Sequence, residues 1–201
     1  MTFDDYRADP CGSLSIPWWK QQEMVVPEGI RIVHDRNDAG VPEGWTEERY
    51  FRLLHTLTAV EQAPMPGITL ETCDDAAQMG EIISQCYPIQ PGDMLKAMQQ
   101  HGTYLPELWI LARDSAGDAM GSGIALIDEA TGEGSLEWIQ VLPHCRRQGV
   151  GRAVVLELLN RMKGRADFVT VSGRVDSPGA ERLYRSCGFS GEDVWHILHR
   201  M

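Results

Sequence analysis

The stretch LEWIQVLPHCRRQGVGRA, residues 136–153, contains the signals of a strand, a turn and a helix start. Its apolar and β-favouring first part predicts a strand that ends at Pro143, because proline cannot donate to a sheet ladder. Gly149 and Gly151 then precede a helical pattern. The first N–H groups of a helix have no intrahelical partner, and the helix dipole favours negative charge there. The stretch therefore predicts an anion site. Nearby positive charge comes from Arg146, Arg147 and Arg152.

This glycine turn lacks two common phosphate-binding patterns. It contains no Gly-Lys-Ser/Thr, which excludes a Walker loop, and no Gly-x-Gly-x-x-Gly, which excludes the dinucleotide fingerprint. What remains is Arg146-x-x-Gly149-x-Gly151 at the start of the helix. An ordinary glycine-containing strand–helix turn is the alternative interpretation of this pattern.

The composition describes a globular and acidic chain. A formal net charge of −11 over 201 residues argues against binding along a nucleic-acid backbone and is compatible with a cationic acceptor. The five cysteines are odd in number and contain no Cys-x-x-Cys, so neither a disulfide framework nor a zinc ribbon is indicated. The N-terminus has no signal-peptide pattern, and no apolar run reaches membrane-spanning length. We expect a cytoplasmic protein without a membrane partner.

Periodicity predicts an α/β chain of the α+β type with a mixed sheet. Predicted strands cover residues 29–35, 68–73, 108–113, 121–127, 136–142, 168–175 and 194–200. Helices are expected after Asp75, over 92–100, after Gly149 and from Pro178 to Gly188. Thr46 is expected to cap one further helix, and Pro17–Lys20 is expected to form a turn. We interpret residues 1–66 as an N-terminal extension packed on the core, which residues 67–201 form.

Three features resemble the GNAT N-acetyltransferase superfamily. The first is the strand and loop ending in Arg146-x-x-Gly149-x-Gly151. The second is DSPGAERLYRSCGF, residues 176–189, which is similar to the family's Asn-x-x-Ala-x-x-Leu-Tyr-x-x-x-Gly-Phe, with Ser177 in place of the asparagine. The third is the order of the upstream elements. The resemblance implies a central sheet splayed between strands 136–142 and 168–175 and flanked by helices. It also implies acetyl-CoA as cosubstrate, without a metal.

The resemblance further implies which residues bind the cosubstrate. The pantetheine arm would pair with backbone near Ile139 and Val141, whose N–H groups would also polarise the thioester carbonyl. The implied cosubstrate-binding residues are Ile139, Gln140, Val141, Arg146, Arg147, Gln148, Gly149, Val150, Gly151, Arg152, Ser177 and Tyr184.

Glu137 and Tyr184 are the implied catalytic residues. Glu137 would accept the proton of the acceptor amine, directly or through water, and strand alternation places it on the face of Ile139 and Val141 if no bulge intervenes. Tyr184 would protonate the departing thiolate, because a phenol is only a slightly weaker acid than a thiol. The alternatives are a solvated strand glutamate and a tyrosine packed on the core. A nucleophilic Cys145 that carries the acetyl group is a third route, without a base in place.

We expect an acetyl-CoA-dependent N-acetyltransferase that transfers directly within a ternary complex. The acceptor is an amine on a small molecule or a peptide, and nucleic acid is not expected as a partner. The oligomeric state is left open, a homodimer included. No histidine spacing suggests a metal site. His196 and His199 lie three apart on a predicted strand, so their side chains point to opposite faces. The alternative from another class is a non-catalytic module that binds acyl-CoA.

Overall fold

The structure is a computed structural model that describes residues 1–37, 40–62 and 66–201 of the chain. The chain divides into two compact units. The first unit contains Met1–His55 and Thr170–Met201, and the second contains Thr56–Val169. The extension of residues 1–66 stays a prediction, and its boundary adjoins residues 63–65, which lie outside the described part.

The described helices and strands alternate irregularly along the chain. The helices are α1 (Phe3–Ala8), α2 (Pro10–Ser13), α3 (Trp18–Glu23), α4 (Ala76–Cys86), α5 (Gly92–Gln100), α6 (Val150–Met162) and α7 (Pro178–Ser186). The strands are β1 (Ile30–His34), β2 (Trp45–His55), β3 (Thr69–Thr72), β4 (Trp109–Arg113), β5 (Ala119–Asp128), β6 (Glu133–Val141), β7 (Phe168–Arg174) and β8 (Ser190–Arg200).

Strands of the first unit follow the order β1-β8-β2-β7, with β8 antiparallel to both β1 and β2. The predicted helix after Thr46 is wrong, because these residues form β2. Pairing with β8 runs along most of the strand and buries alternate side chains, Phe51, Leu53 and His55. The long-range ladder therefore overrides a local helical spacing of apolar residues.

A buried arginine connects β2 to the N-terminal residues of the same unit. Arg52 is 1% exposed and donates to the Tyr6 hydroxyl at 3.1 Å and to the Thr170 hydroxyl at 3.3 Å. It also donates to the carbonyl oxygen of Ser15 at 3.4 Å. The expected turn at Pro17–Lys20 is instead the start of α3, with Pro17 as its N-cap. Buried hydrogen bonds of Arg52 therefore join β2 to the N-terminal residues of the first unit.

The second unit is an antiparallel sheet of order β6-β5-β4-β3. Its α6 packs directly against β5, where a β-carbon on Gly123 would lie 2.5 Å from Val154 and 2.9 Å from Leu158. On α4, the Asp75 side chain caps the first turn by accepting from the amides of Ala77 and Gln78. These elements confirm the strands and helices predicted for this part of the sequence.

The whole chain is therefore an α+β protein with mostly antiparallel strands flanked by helices, as the sequence predicts. Among the described residues, no helix combines the length and the apolar character that a bilayer span requires.

Gly123→Ala should lower the free energy of unfolding by about 1–3 kcal/mol, because the added methyl group overpacks the contact between β5 and α6. Urea unfolding followed by circular dichroism measures the change. Gly102→Ala is the matched control, since its added methyl group meets no atom within 4 Å. Equal stability of the two variants would contradict the close packing at Gly123.

Candidate functional site

The predicted site residues are distributed over both units. The strand and loop residues, from Glu137 to Arg152, belong to the second unit, whereas Ser177 and Tyr184 belong to the first.

Glu137 lies in a β-bulge of β6. Ile124 pairs with Trp138 and Ala125 pairs with Leu136, so Glu137 is an extra residue between two paired positions. A bulge of this kind leaves one residue outside the ladder and changes the alternation of side chains along its strand. The bulge therefore decides which face of β6 carries each of the predicted site residues.

The bulge separates Glu137 from Ile139, so the condition on which the two were expected to share a face is not met. The Ile139 side chain lies on the α6 side, 3.2 Å from the position of a β-carbon on Gly123. Glu137 lies on the opposite face, where its carboxylate accepts a hydrogen bond of 2.9 Å from the buried Ser135 hydroxyl. Trp138 shares that face. It pairs with Ile124, whose side chain points to the face opposite to that of the adjacent Gly123.

The backbone groups of Ile139 and Val141 point away from β5. The Leu142 amide donates to the Met120 carbonyl at 2.9 Å, so the backbone of Leu142 points toward β5. Backbone groups alternate in direction along a strand, and those of Val141 and Ile139 therefore point to the other side. The Val141 carbonyl accepts from the Arg146 Nε at 3.2 Å and from the Cys86 thiol at 3.5 Å.

Gln140 differs from its two neighbours on β6. It is paired with Ser122 of β5, and its buried side-chain amide donates to the Ser122 hydroxyl. The side-chain oxygen of Gln140 is buried without a hydrogen-bond partner among the described residues. Of the three predicted positions on β6, Ile139 and Val141 therefore direct backbone away from β5, and Gln140 does not.

The loop before α6 contains two residues in the left-handed region. Arg147 has φ 60° and Gly149, the N-cap of α6, has φ 85°. The first helical hydrogen bond runs from the Ala153 amide to the Gly149 carbonyl at 3.0 Å. Within the described chain, the amides of residues 148–151 donate to no backbone carbonyl outside the helix. Unengaged amides at a helix start have the geometry that the anion-site prediction requires, and the binding of an anion there stays a prediction.

Side chains of this loop already have partners within the second unit. Arg152 pairs with Glu61 at 2.6 Å, and Gln148 donates to the His144 carbonyl at 3.0 Å. Arg146 and Arg147 are both exposed. Sequence reasoning missed Glu61, because its contact with α6 depends on a chain path that no local pattern encodes.

Cys145 is a poor candidate nucleophile. Its side chain is only 7% exposed, and burial raises the pKa of its thiol. A buried thiol of raised pKa is mostly protonated at neutral pH and reacts slowly. The structure thus gives no support to the acetyl-cysteine route.

In the first unit, Ser177 directly precedes α7 and Tyr184 lies within it. Ser177 occupies the N-cap position, but its side chain makes no capping hydrogen bond. Tyr184 is 7% exposed, and its ring packs edge-on against Phe51 and Phe189 at centroid distances of 6.2 and 5.8 Å. The packed ring fixes the direction of the phenol within this unit.

A second polar cluster of the first unit involves His196. Its two ring nitrogens lie 2.6 Å from the Glu47 carboxylate and 3.0 Å from the Asp35 carboxylate. The hydrogen bond to His196 lowers the pKa of Asp35. In residues 1–37, 40–62 and 66–201 no group of three or more histidine, cysteine, aspartate or glutamate side chains is placed to hold a metal ion.

Comparison with known proteins identifies the family. The sequence profile of the Acetyltransferase (GNAT) family matches residues 76–189, which is more than half of the chain. No curated protein matches the sequence. The match includes β6, the glycine loop and α7, the same stretches that carry the resemblance.

Solved structures agree. A GCN5-related N-acetyltransferase from Sphaerobacter thermophilus is 25% identical with a TM-score of 0.65, over 79% of this chain and 53% of that one, so the chain spans about half its length. The Escherichia coli ribosomal-protein-S18-alanine N-acetyltransferase (19% identity, TM-score 0.53, 66% and 92% covered) has the same fold. Ard1 from Thermoplasma volcanium has this fold too, with 17% identity and a TM-score of 0.54 over 66% of this chain and 97% of that one. The chain belongs to the GNAT family of acetyltransferases.

Proposed function

We propose that this protein is an N-acetyltransferase that moves the acetyl group of acetyl-CoA directly to an amine within a ternary complex. The observation that carries the proposal is the run of unengaged amides at residues 148–151 in front of α6. Such a run binds phosphate oxygens, because several N–H groups and the positive end of the helix dipole converge on one place.

The proposed binding mode follows from the backbone of the second unit. The pyrophosphate of CoA accepts from the loop amides, and Arg147 adds positive charge at the exposed side of the loop. The pantetheine amides pair with the backbone of Ile139, whose N–H and C=O point away from β5. The Val141 amide is a further donor, whereas its carbonyl is already held by Arg146.

The proposed reaction is a direct aminolysis of the thioester. Glu137 accepts a proton from the acceptor amine, directly or through water, and the amine nitrogen attacks the acetyl carbonyl carbon. The N–H group of Ile139 or Val141 stabilises the negative charge that develops on the carbonyl oxygen. The carbon–sulfur bond then breaks, and the CoA thiolate takes a proton from Tyr184. The family resemblance, rather than a measured distance, supports the assignment to Tyr184.

A non-catalytic module that binds acyl-CoA is the second candidate function. The bulge favours the enzyme, because it removes Glu137 from the ladder and presents a carboxylate held by Ser135. We also propose a cytoplasmic location. No disulfide joins any of the five cysteines, all of which lie in the described ranges, and this suits a reducing compartment. An amine on a small molecule and an amine on a peptide are both compatible with this mechanism.

Gly149→Ala should weaken CoA binding about ten-fold, because the left-handed N-cap is strained by a β-carbon and the amides behind it shift. Isothermal titration calorimetry with CoA measures the effect. Gly117→Ala is the matched control, since Gly117 has φ 89° in the turn between β4 and β5. Both variants should lose about 1–2 kcal/mol of stability, but only the first should lose affinity. If wild-type protein shows no heat with CoA, the proposed binding mode is wrong.

Glu137→Gln should lower kcat by about 10²–10⁴-fold while the Kd for CoA stays the same, because glutamine keeps the shape but cannot accept the amine proton. A steady-state assay of thiol release at saturating acetyl-CoA and amine measures kcat. Glu71→Gln, an exposed change on β3, serves as the control. A Glu137→Gln enzyme within two-fold of wild type would remove the general-base role.

Tyr184→Phe should lower kcat by about 10²-fold or more, because the departing thiolate loses its proton donor while ring packing against Phe51 and Phe189 is kept. The same thiol-release assay measures the change, and circular dichroism checks the fold. Tyr50→Phe is the control, since its hydroxyl donates to the Glu48 carboxylate within the first unit. Full turnover of Tyr184→Phe would refute the general-acid role.

A further inference from the structure

The bulge places an aromatic side chain beside the candidate base. Glu137 and Trp138 are successive residues, and both lie on the face of β6 that is opposite to α6. In a regular strand, successive side chains would alternate between the two faces. The carboxylate and the indole ring are therefore neighbours on one surface because β6 contains one extra residue.

A second ring extends this surface. Tyr87 follows the last residue of α4, and its ring meets the Trp138 indole at a centroid distance of 5.8 Å and an angle of 75°. Tyr87 is 43% exposed, so this edge-to-face pair forms a wall with one open side rather than a part of the core.

We propose that Glu137, Trp138 and Tyr87 form the acceptor subsite and select a primary monoamine whose ammonium is attached to an apolar body of about the size of one ring. This inference rests on the proposed function and adds the chemical class of the acceptor to it. The ammonium lies at Glu137, and the apolar body lies against the two rings.

The charges around the wall support a single ammonium. The Glu137 carboxylate attracts a cation, and aromatic faces add a cation–π attraction. The C-terminal end of α4, capped by Tyr87, also favours positive charge. Arg146 lies close to Cys86 and Tyr87 and donates to the Val141 carbonyl. This guanidinium would repel a second cation of a polyamine.

The exposed surface supports an apolar body. Tyr87 is exposed and Trp138 is partly exposed, and covering apolar surface of such rings is favourable at about 25 cal/mol per Å². A small polar amine would reach Glu137 without covering the rings, so it would lose this contribution. The wall is therefore expected to act through KM, with little effect on the chemical step.

The test compares the full-length enzyme with four amines: 2-phenylethylamine, methylamine, glycinamide and spermidine. We expect kcat/KM to be highest for 2-phenylethylamine, by about ten-fold over each of the others. Tyr87→Ala should lower kcat/KM for 2-phenylethylamine about ten-fold through KM and change that for methylamine less than about two-fold, whereas Tyr87→Phe should retain the preference. Met94→Ala, another exposed apolar side chain, should change neither.

Two results would overturn the proposed subsite. One is a wild-type enzyme that prefers spermidine, glycinamide or methylamine to 2-phenylethylamine. The other is a Tyr87→Ala variant that loses the same factor with every amine. Either result leaves the acetyltransferase activity intact. Calorimetry without CoA binding, or CoA binding without turnover of any amine, would instead reject the proposed function and this subsite with it.

Discussion

One additional residue in β6 determines how the second unit presents its chemistry. The bulge at Glu137 leaves a single position outside the β5–β6 ladder and reverses the alternation beyond it. The carboxylate and Trp138 then share one face, while Ile139 turns toward α6 and packs near Gly123. The same strand thus contributes to the core with one side chain and to a polar, aromatic surface with its neighbours.

The proposed anion site of this acidic chain relies on backbone groups more than on side-chain charges. Arg152 is paired with Glu61, and Arg146 donates to the Val141 carbonyl. The amides of residues 148–151 have no such partner among the described backbone hydrogen bonds outside the helix. A helix start that keeps its N–H groups unengaged binds an anion without needing a local excess of arginine over acid.

Local patterns predicted the elements of the second unit well. Asp75 caps α4, Gly149 precedes α6, and short apolar runs predict β4 and β5 close to their observed bounds. The clear failure was β2, where a helical spacing of leucines was overridden by pairing with β8. The face of Glu137 was predicted only on the condition that no bulge intervened. A bulge is a property of a strand pair, so it becomes visible only when the partner's register is known.

The sequence by itself determined the family, the order of most elements and the residues of the glycine loop, because short-range propensities and a glycine at a helix start leave local signals. Tertiary structure decided the rest. It determined that Ser135 holds the Glu137 carboxylate, that Trp138 meets Tyr87, and that Glu61 reaches Arg152. The contacts with Tyr87 and Glu61 join residues far apart in the chain. The contact between Ser135 and Glu137 depends on the face to which each side chain points once β6 is paired with β5. Such contacts follow from strand register and chain path rather than from local residue preferences.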